Sequence, residues 1–249
     1  MRSILDVHEY IKCGTETRIL PQKLTFLKEY LKSNKNKTIE ILKRDIKYIY
    51  DASALFIYQI LNSNLKKSSI LCAKDPGLLQ SIDLFNTILP NTKFLIMIRD
   101  PRGAVLSFLN KMNVKMSEEI FLKHLSRWNT LYEEALKVCN LFDKAKCKIV
   151  KYENLILNPK KSMKQVSNFL NIEYTDKFLR HNEFIGDRIV LEKNHWSSGQ
   201  VNRSIYDDSL TSWIGKVKYN KTWVNENIYM MHIFGYKINF DDPNDGNFI

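Results

Sequence analysis

A chain of 249 residues with 44% hydrophobic and 12% aromatic side chains can bury a core, so disorder is excluded. Its 38 Lys and Arg against 27 Asp and Glu leave a net charge of +11, which asks for an anionic partner without choosing among nucleic acid, phospholipid, nucleotide and acidic peptide. With 8 Gly, 6 Pro, no repeat and no Ser/Gly linker, the length reads as one domain.

In chain order, Met1 to His8 reads as the later part of an amphipathic helix with no N-cap and no strand before it. An α/β sheet normally opens on a strand, so the expectation is that the first strand lies upstream of Met1. Asp6, Glu9 and Glu16 rule out an apolar signal-peptide core in the first twenty residues. An irregular segment, Cys13 to Pro21, then brings Glu16 and Arg18 close together. A loop carboxylate beside a cationic site can serve as a general base, and the plainer alternative is a surface ion pair.

Leu24, Leu27 and Leu31 fall at helical spacing and predict a helix from Gln22 to Ser33, followed by a second from about Tyr48 to Leu65. The uncharged part of the second, from Ala52, is too short and too polar to span a bilayer. Runs rich in Ile, Leu and Val at Ile70 to Ala73, Lys93 to Ile98 and Lys148 to Lys151 read as buried strands, each followed by a helical segment. This alternation predicts an α/β fold with a parallel sheet flanked by helices, in which ligands sit just past the carboxyl ends of the strands.

The residues at those ends are therefore the candidates. Lys74-Asp75-Pro76 follows one strand, with the proline opening a helix and the lysine able to stabilise charge on a transferring group. Arg99-Asp100-Pro101-Arg102-Gly103 follows another, and Ser107 and Lys111 continue from it at helical spacing. Together they read either as a grip on a phosphate or as a capped turn with solvated cations. Trp196 to Arg203 reads as a loop able to fold over a ligand, or as a plain connection.

The cysteines Cys13, Cys72, Cys139 and Cys147 contain no Cys-x-x-Cys or Cys/His set, so no metal is expected; they are two bridges or four thiols. His8, His124, His181, His195 and His232 lack ligand spacing and read as structural. Sequons at Asn36, Asn202 and Asn220 lean weakly toward a secretory lumen. No compact basic stripe argues for a nucleic-acid module.

Taken together, the segments MRSILDVH, CGTETRILP, LCAKDP, NTKFLIMIRDPRGAVLS, CKIVKYENLILNP, HNEFIG and SWIGK resemble the tyrosylprotein sulfotransferases, in register from Met1 to about Tyr236. The resemblance implies a P-loop-NTPase-like sulfotransferase fold over residues 1–249, with about 237–249 as a carboxyl-terminal tail. It implies sulfuryl transfer from 3′-phosphoadenosine 5′-phosphosulfate (PAPS) to tyrosine hydroxyls in acidic segments of secretory-pathway proteins, with no metal. By the same resemblance Glu16 is the general base, and Lys74 and Ser197 stabilise the transferring sulfuryl and leaving phosphate. Arg99, Ser107 and Lys111 hold the 3′-phosphate, while Tyr152, Ser197, Ser198, Gln200, Val201 and Arg203 close over the nucleotide. Arg18, Ile19, Leu20, Pro21 and Gln22 line the acceptor-peptide cleft. Disulfides Cys13–Cys72 and Cys139–Cys147, a homodimer and a Golgi-lumen location with a single-span anchor complete what the family implies.

The sequence also departs from the family. The family's phosphosulfate loop, Arg-Ser-Gly-Thr-Thr, belongs just before Met1, Thr15 stands where an acid is common, and Ser212 stands where a cofactor-contacting Lys is usual. Lys111 replaces an Arg, which loses a bidentate fork. The leading expectation is a catalytic domain truncated at its amino terminus; the alternatives are an inactive peptide-binding or dimerisation homologue and a small-molecule sulfotransferase.

Overall fold

The computed structural model of the protein describes residues 1–14, 16–42, 45–62, 70–189 and 208–237. They fall into two compact units, Met1–Phe94 with Thr175–Ser204, and Leu95–Tyr174 with Ile205–Ile249.

The first unit begins with a short helix α1 (Arg2–Leu5) and a strand β1 (Ile11–Cys13). A long helix α2 (Ile19–Leu42), a helix α3 (Lys47–Asn62), strand β2 (Ile70–Cys72) and helix α4 (Ile82–Ile88) follow. β1 and β2 pair in parallel, with Ile11 opposite Ile70 and Cys13 opposite Cys72. The leucine period places Leu20, Leu24, Leu27 and Leu31 on one buried face of α2, against Ile57 of α3 and Leu84, Phe85 and Ile88 of α4. Each such side chain, fully buried, contributes about 1.5–3 kcal/mol, so the stripe anchors α2 against α3 and α4.

Strand β3 (Phe94–Ile98), which enters the second unit at Leu95, leads into helix α5 (Pro101–Lys111) and the long helix α6 (Glu118–Leu141). Strand β4 (Cys147–Lys151) follows and hydrogen-bonds to β3. Helices α7 (Tyr152–Leu157) and α8 (Pro159–Leu170) come next. Ser117 caps α6 by accepting from the Ile120 amide, and Glu118 and Glu119 complement the positive end of its dipole. Asn171, at φ 58°, ends α8 in the left-handed conformation that asparagine tolerates.

The architecture is the expected α/β class, with parallel strands flanked by helices. Three of the four strands among the described residues stand where the sequence places them. The exception is β1: the sequence assigns no element to Ile11 and Lys12 and puts Cys13 at the start of the irregular segment Cys13 to Pro21, while of the helix expected over Met1 to His8 only Arg2–Leu5 forms, as α1. A three-residue strand with a lysine at its centre carries too little alternation to be read locally, and its pairing with β2 defines it. Helix α2 also runs further than Gln22 to Ser33 at both ends.

Both disulfides are formed, Cys13–Cys72 and Cys139–Cys147, with Cα separations of 4.4 and 5.6 Å. Cross-linking residues 59 and 8 apart in sequence limits the unfolded chain by about 4 and 3 kcal/mol respectively. No described helix is long and apolar enough to cross a membrane.

Candidate active site

Because β1 and β2 are parallel and in register, their carboxyl ends lie level, and the Cys13–Cys72 bridge joins them at the last residue of each strand. The residues that follow must emerge side by side. Glu16 comes three positions after Cys13 and Lys74 two after Cys72, and the Lys74 ammonium donates to Glu16 Oε1. Glu16 is the more buried partner, its side chain 14% exposed against 35% for Lys74.

Asp75 organises the turn around this pair. Its Oδ2 accepts from the Arg18 amide at 2.9 Å and from the Thr17 hydroxyl at 3.4 Å, and its Oδ1 accepts from Gly77 N as cap of the 3-10 turn Pro76–Ser81. Thr17 in turn accepts from the Leu20 amide at 3.3 Å, starting α2. Arg18 sits at φ 55°, a left-handed conformation uncommon for a residue with a Cβ. Gly77 is required by close approach, since a Cβ there would lie 2.7 Å from Pro21 Cβ. At the start of the first unit, buried Asp6 accepts from the Cys13 amide at 2.6 Å and from Arg2, and so braces the end of β1. Burial pushes the Asp6 carboxyl above its usual range, against the pull of those partners.

Of the residues expected to line an acceptor cleft, Arg18, Ile19 and Gln22 are exposed and Pro21 is half-buried. Leu20 is fully buried in the core, so only its main chain can face a ligand.

The second unit holds the other expected group. Arg99 and Tyr152 each come immediately after paired strands β3 and β4, and the Arg99 guanidinium lies 5.1 Å from the Tyr152 ring centre. Ser209 joins them: its carbonyl accepts from Arg99, and its hydroxyl shares a 2.6 Å hydrogen bond with the Tyr152 hydroxyl. Arg99 also runs along α5, because a Cβ on Gly103 would lie 3.2 Å from its Nη2. Ser107 and Lys111 are four and eight residues beyond Gly103, on the same helical stripe, half-buried and exposed respectively.

Asp100 caps α5 by accepting from the Arg102 amide at 2.9 Å, with Pro101 in the first turn. Its carboxylate is also held by the Arg102 side chain at 3.0 and 2.6 Å, while Arg102 donates to the Lys237 carbonyl and lies 4.5 Å from the Trp213 ring centre. Arg102 thus spends its charge inside the fold. Among the described residues, Arg99 meets the Ser209 carbonyl and the Tyr152 ring and makes no ion pair with a carboxylate. An arginine, an aromatic ring and a stripe of hydroxyl and amine can bind an anion such as a phosphate group.

Ser197, Ser198, Gln200, Val201 and Arg203 lie outside the described residues. Sequence reading missed Asp75, Glu153 and Ser209, whose roles depend on contacts across 53 to 110 residues of chain. Ser209 offers no local signal. Among the described residues there is no cluster of His, Cys, Asp and Glu suited to a metal.

A family model described as "Sulfotransferase family" matches residues 1–176. The chain belongs to this family. Protein-tyrosine sulfotransferase A of Caenorhabditis elegans is 30% identical over 250 residues, covering 99% of this chain and 66% of its own length. Protein-tyrosine sulfotransferase 2 of Gallus gallus is 31% identical over 226 residues, covering 87% and 60%. Within the sulfotransferases the chain therefore falls with the protein-tyrosine group, although it spans less than two thirds of these relatives. The sulfotransferase domain of the Synechococcus PCC 7002 olefin synthase superposes with a TM-score of 0.67 at 16% identity, covering 95% of this chain and 89% of that one, which establishes the fold.

Proposed function

We propose that the protein transfers the sulfuryl group of PAPS to tyrosine hydroxyls in acidic segments of secreted or membrane proteins. The observation that carries this reading is the Lys74–Glu16 contact at the level ends of two disulfide-joined parallel strands, in a chain similar throughout to protein-tyrosine sulfotransferases.

The tyrosine oxygen attacks sulfur, the bond from sulfur to the 5′-phosphate oxygen breaks, and adenosine 3′,5′-bisphosphate leaves. Glu16 takes the phenolic proton. Lys74, drawn toward the oxygens of the departing phosphate, releases the carboxylate for that task as negative charge moves onto the leaving group. Ser197 assists Lys74. Sulfuryl transfer resembles phosphoryl transfer in needing in-line positioning and cations more than covalent chemistry, which is what this residue set offers.

Arg99, Ser107 and Lys111 take the 3′-phosphate, Tyr152 and the 197–203 segment cover the nucleotide, and Arg18 to Gln22 meet the acceptor. The net charge of +11 favours acidic acceptors. Two disulfides suit an oxidising lumen, in keeping with action in the Golgi; likeness to the family extends the reading to a homodimer.

The test is label transfer from ³⁵S-PAPS to an acidic tyrosine peptide, beside a matched peptide with Phe for Tyr and one with neutral residues for the acids. Label only on tyrosine, reduced in the neutral peptide, supports the reading; label on neither tyrosine peptide refutes it.

A further inference from the structure

Glu153 follows Tyr152 in sequence and Asp100 follows Arg99, and these two neighbours of the anion-binding pair are joined by a buried hydrogen bond. Glu153 Oε1 accepts from the Asp100 amide at 2.8 Å. Its other oxygen is taken by the Tyr236 hydroxyl, also at 2.8 Å. Glu153 is 2% exposed and Asp100 5%, so water does not substitute for either bond. Burial and the nearby Asp100 carboxylate press the Glu153 carboxyl upward, and the Asp100 amide, the amide of Glu153 itself and the Tyr236 hydroxyl oppose them.

Burying a carboxylate here is costly, and an apolar side chain would fill the space more cheaply. What an apolar side chain lacks is an acceptor for the Asp100 amide, the first N–H after the residue that leaves β3 with the guanidinium. We propose that Glu153 is a positioning residue: by tying the turn after β3 to the turn after β4, it fixes where Arg99 leaves β3 beside Tyr152, and so the placement of the guanidinium on which 3′-phosphate recognition depends. Tyr236 supports it from the far side, linking the segment near residue 236 to the same brace. Ser209 closes the arrangement at the ligand end through its bonds to both Arg99 and Tyr152. Glu153 touches no ligand in this account; it acts through the backbone of its neighbours. The inference rests on the assignment of Arg99 and Tyr152 made under Proposed function.

The experiment measures, by calorimetry, the affinities of the protein for adenosine 3′,5′-bisphosphate and adenosine 5′-monophosphate, whose ratio isolates the 3′-phosphate. Glu153→Ala should lower that ratio by about tenfold, the effect of losing a well-placed charge-assisted contact. Glu153→Gln, whose amide oxygen still accepts from Asp100, should keep the ratio within about threefold of the parent. Tyr236→Phe should lower it by about threefold, and it decides the matter if Glu153→Ala does not fold. Equal weakening of both nucleotides in Glu153→Ala would show a purely structural role and overturn the proposal. So would an unchanged ratio in Tyr236→Phe, or a glutamine variant as defective as alanine. A parent protein that does not distinguish the two nucleotides would instead refute the Arg99 assignment itself, and the brace with it.

Discussion

In the first unit Glu16 and Lys74 stand on loops just past two strands that a disulfide joins, whereas in the second Arg99 and Tyr152 leave strand ends that a buried carboxylate ties through hydrogen bonds. The first arrangement holds an irregular segment with one covalent bond and a ring of contacts from Asp75. The second has no covalent link near the site, since its disulfide lies where α6 meets the beginning of β4. The pair proposed for proton transfer is therefore placed by a covalent cross-link, and the proposed anion grip by buried polar satisfaction. The two should fail under different insults.

The largest separation between them is expected in kinetics. Lys74→Met removes a cation from the leaving-group side and should lower kcat by about 10²- to 10³-fold at little change in donor KM. Arg99→Ala should instead raise donor KM by roughly 10- to 100-fold, the loss of a charge-assisted fork. Steady-state kinetics with varied donor separates the two, and a common pattern would remove the distinction.

Next in size is the response to loss of each disulfide. Cys13→Ser with Cys72→Ser should cost about 4 kcal/mol and the Cys139 and Cys147 pair about 3, read from urea unfolding. Only the first should also depress turnover of the folded protein, because only the first sits where the Glu16 segment begins. A turnover loss from the second pair would break the comparison.

Smaller effects sharpen it. Gly103→Ala places a methyl 2.7 Å from Trp213 Cδ1 and close to Arg99, and should cost about 1–3 kcal/mol and weaken nucleotide binding. Gly77→Ala, which meets Pro21, should cost a similar amount and disturb turnover instead. Nucleotide titration and unfolding of both variants check this.

The smallest effect concerns pH and is shared. Glu153 and Asp6 both have their carboxyls raised by burial, so the folded protein holds protons that the unfolded chain releases. That contribution is fully present below the ordinary carboxylate range and is lost as pH rises through the raised values. Around Glu153 the groups that matter are Asp100, Tyr236 and, through Asp100, Arg102; around Asp6 they are Arg2 and Lys12. Glu153→Gln and Asp6→Asn should each flatten the fall in urea midpoint between acid and neutral pH, and an unchanged slope in both contradicts the assignment.

Much of this was legible in the sequence because strand ends are local features. Ile-, Leu- and Val-rich runs placed Lys74, Arg99 and Tyr152 at the carboxyl ends of β2, β3 and β4, and the leucine period placed α2. Glu16 was legible only as a carboxylate in an irregular stretch; what pairs it with Lys74 is the parallel register of β1, a strand too short to carry its own signal. Asp6, Asp75 and Glu153 look like any surface acids in sequence. Their function as braces arises because backbone amides at strand and helix ends need acceptors once buried, a demand that only the folded chain creates.

The most direct test of the central claim is single-turnover transfer with saturating, pre-bound ³⁵S-PAPS, comparing the parent protein with Glu16→Gln. The account predicts that the glutamine variant binds donor with unchanged affinity while the transfer step slows by about 10²- to 10⁴-fold, the range for loss of a general base. Transfer at the parent rate, or a slowdown explained entirely by weaker donor binding, would contradict it.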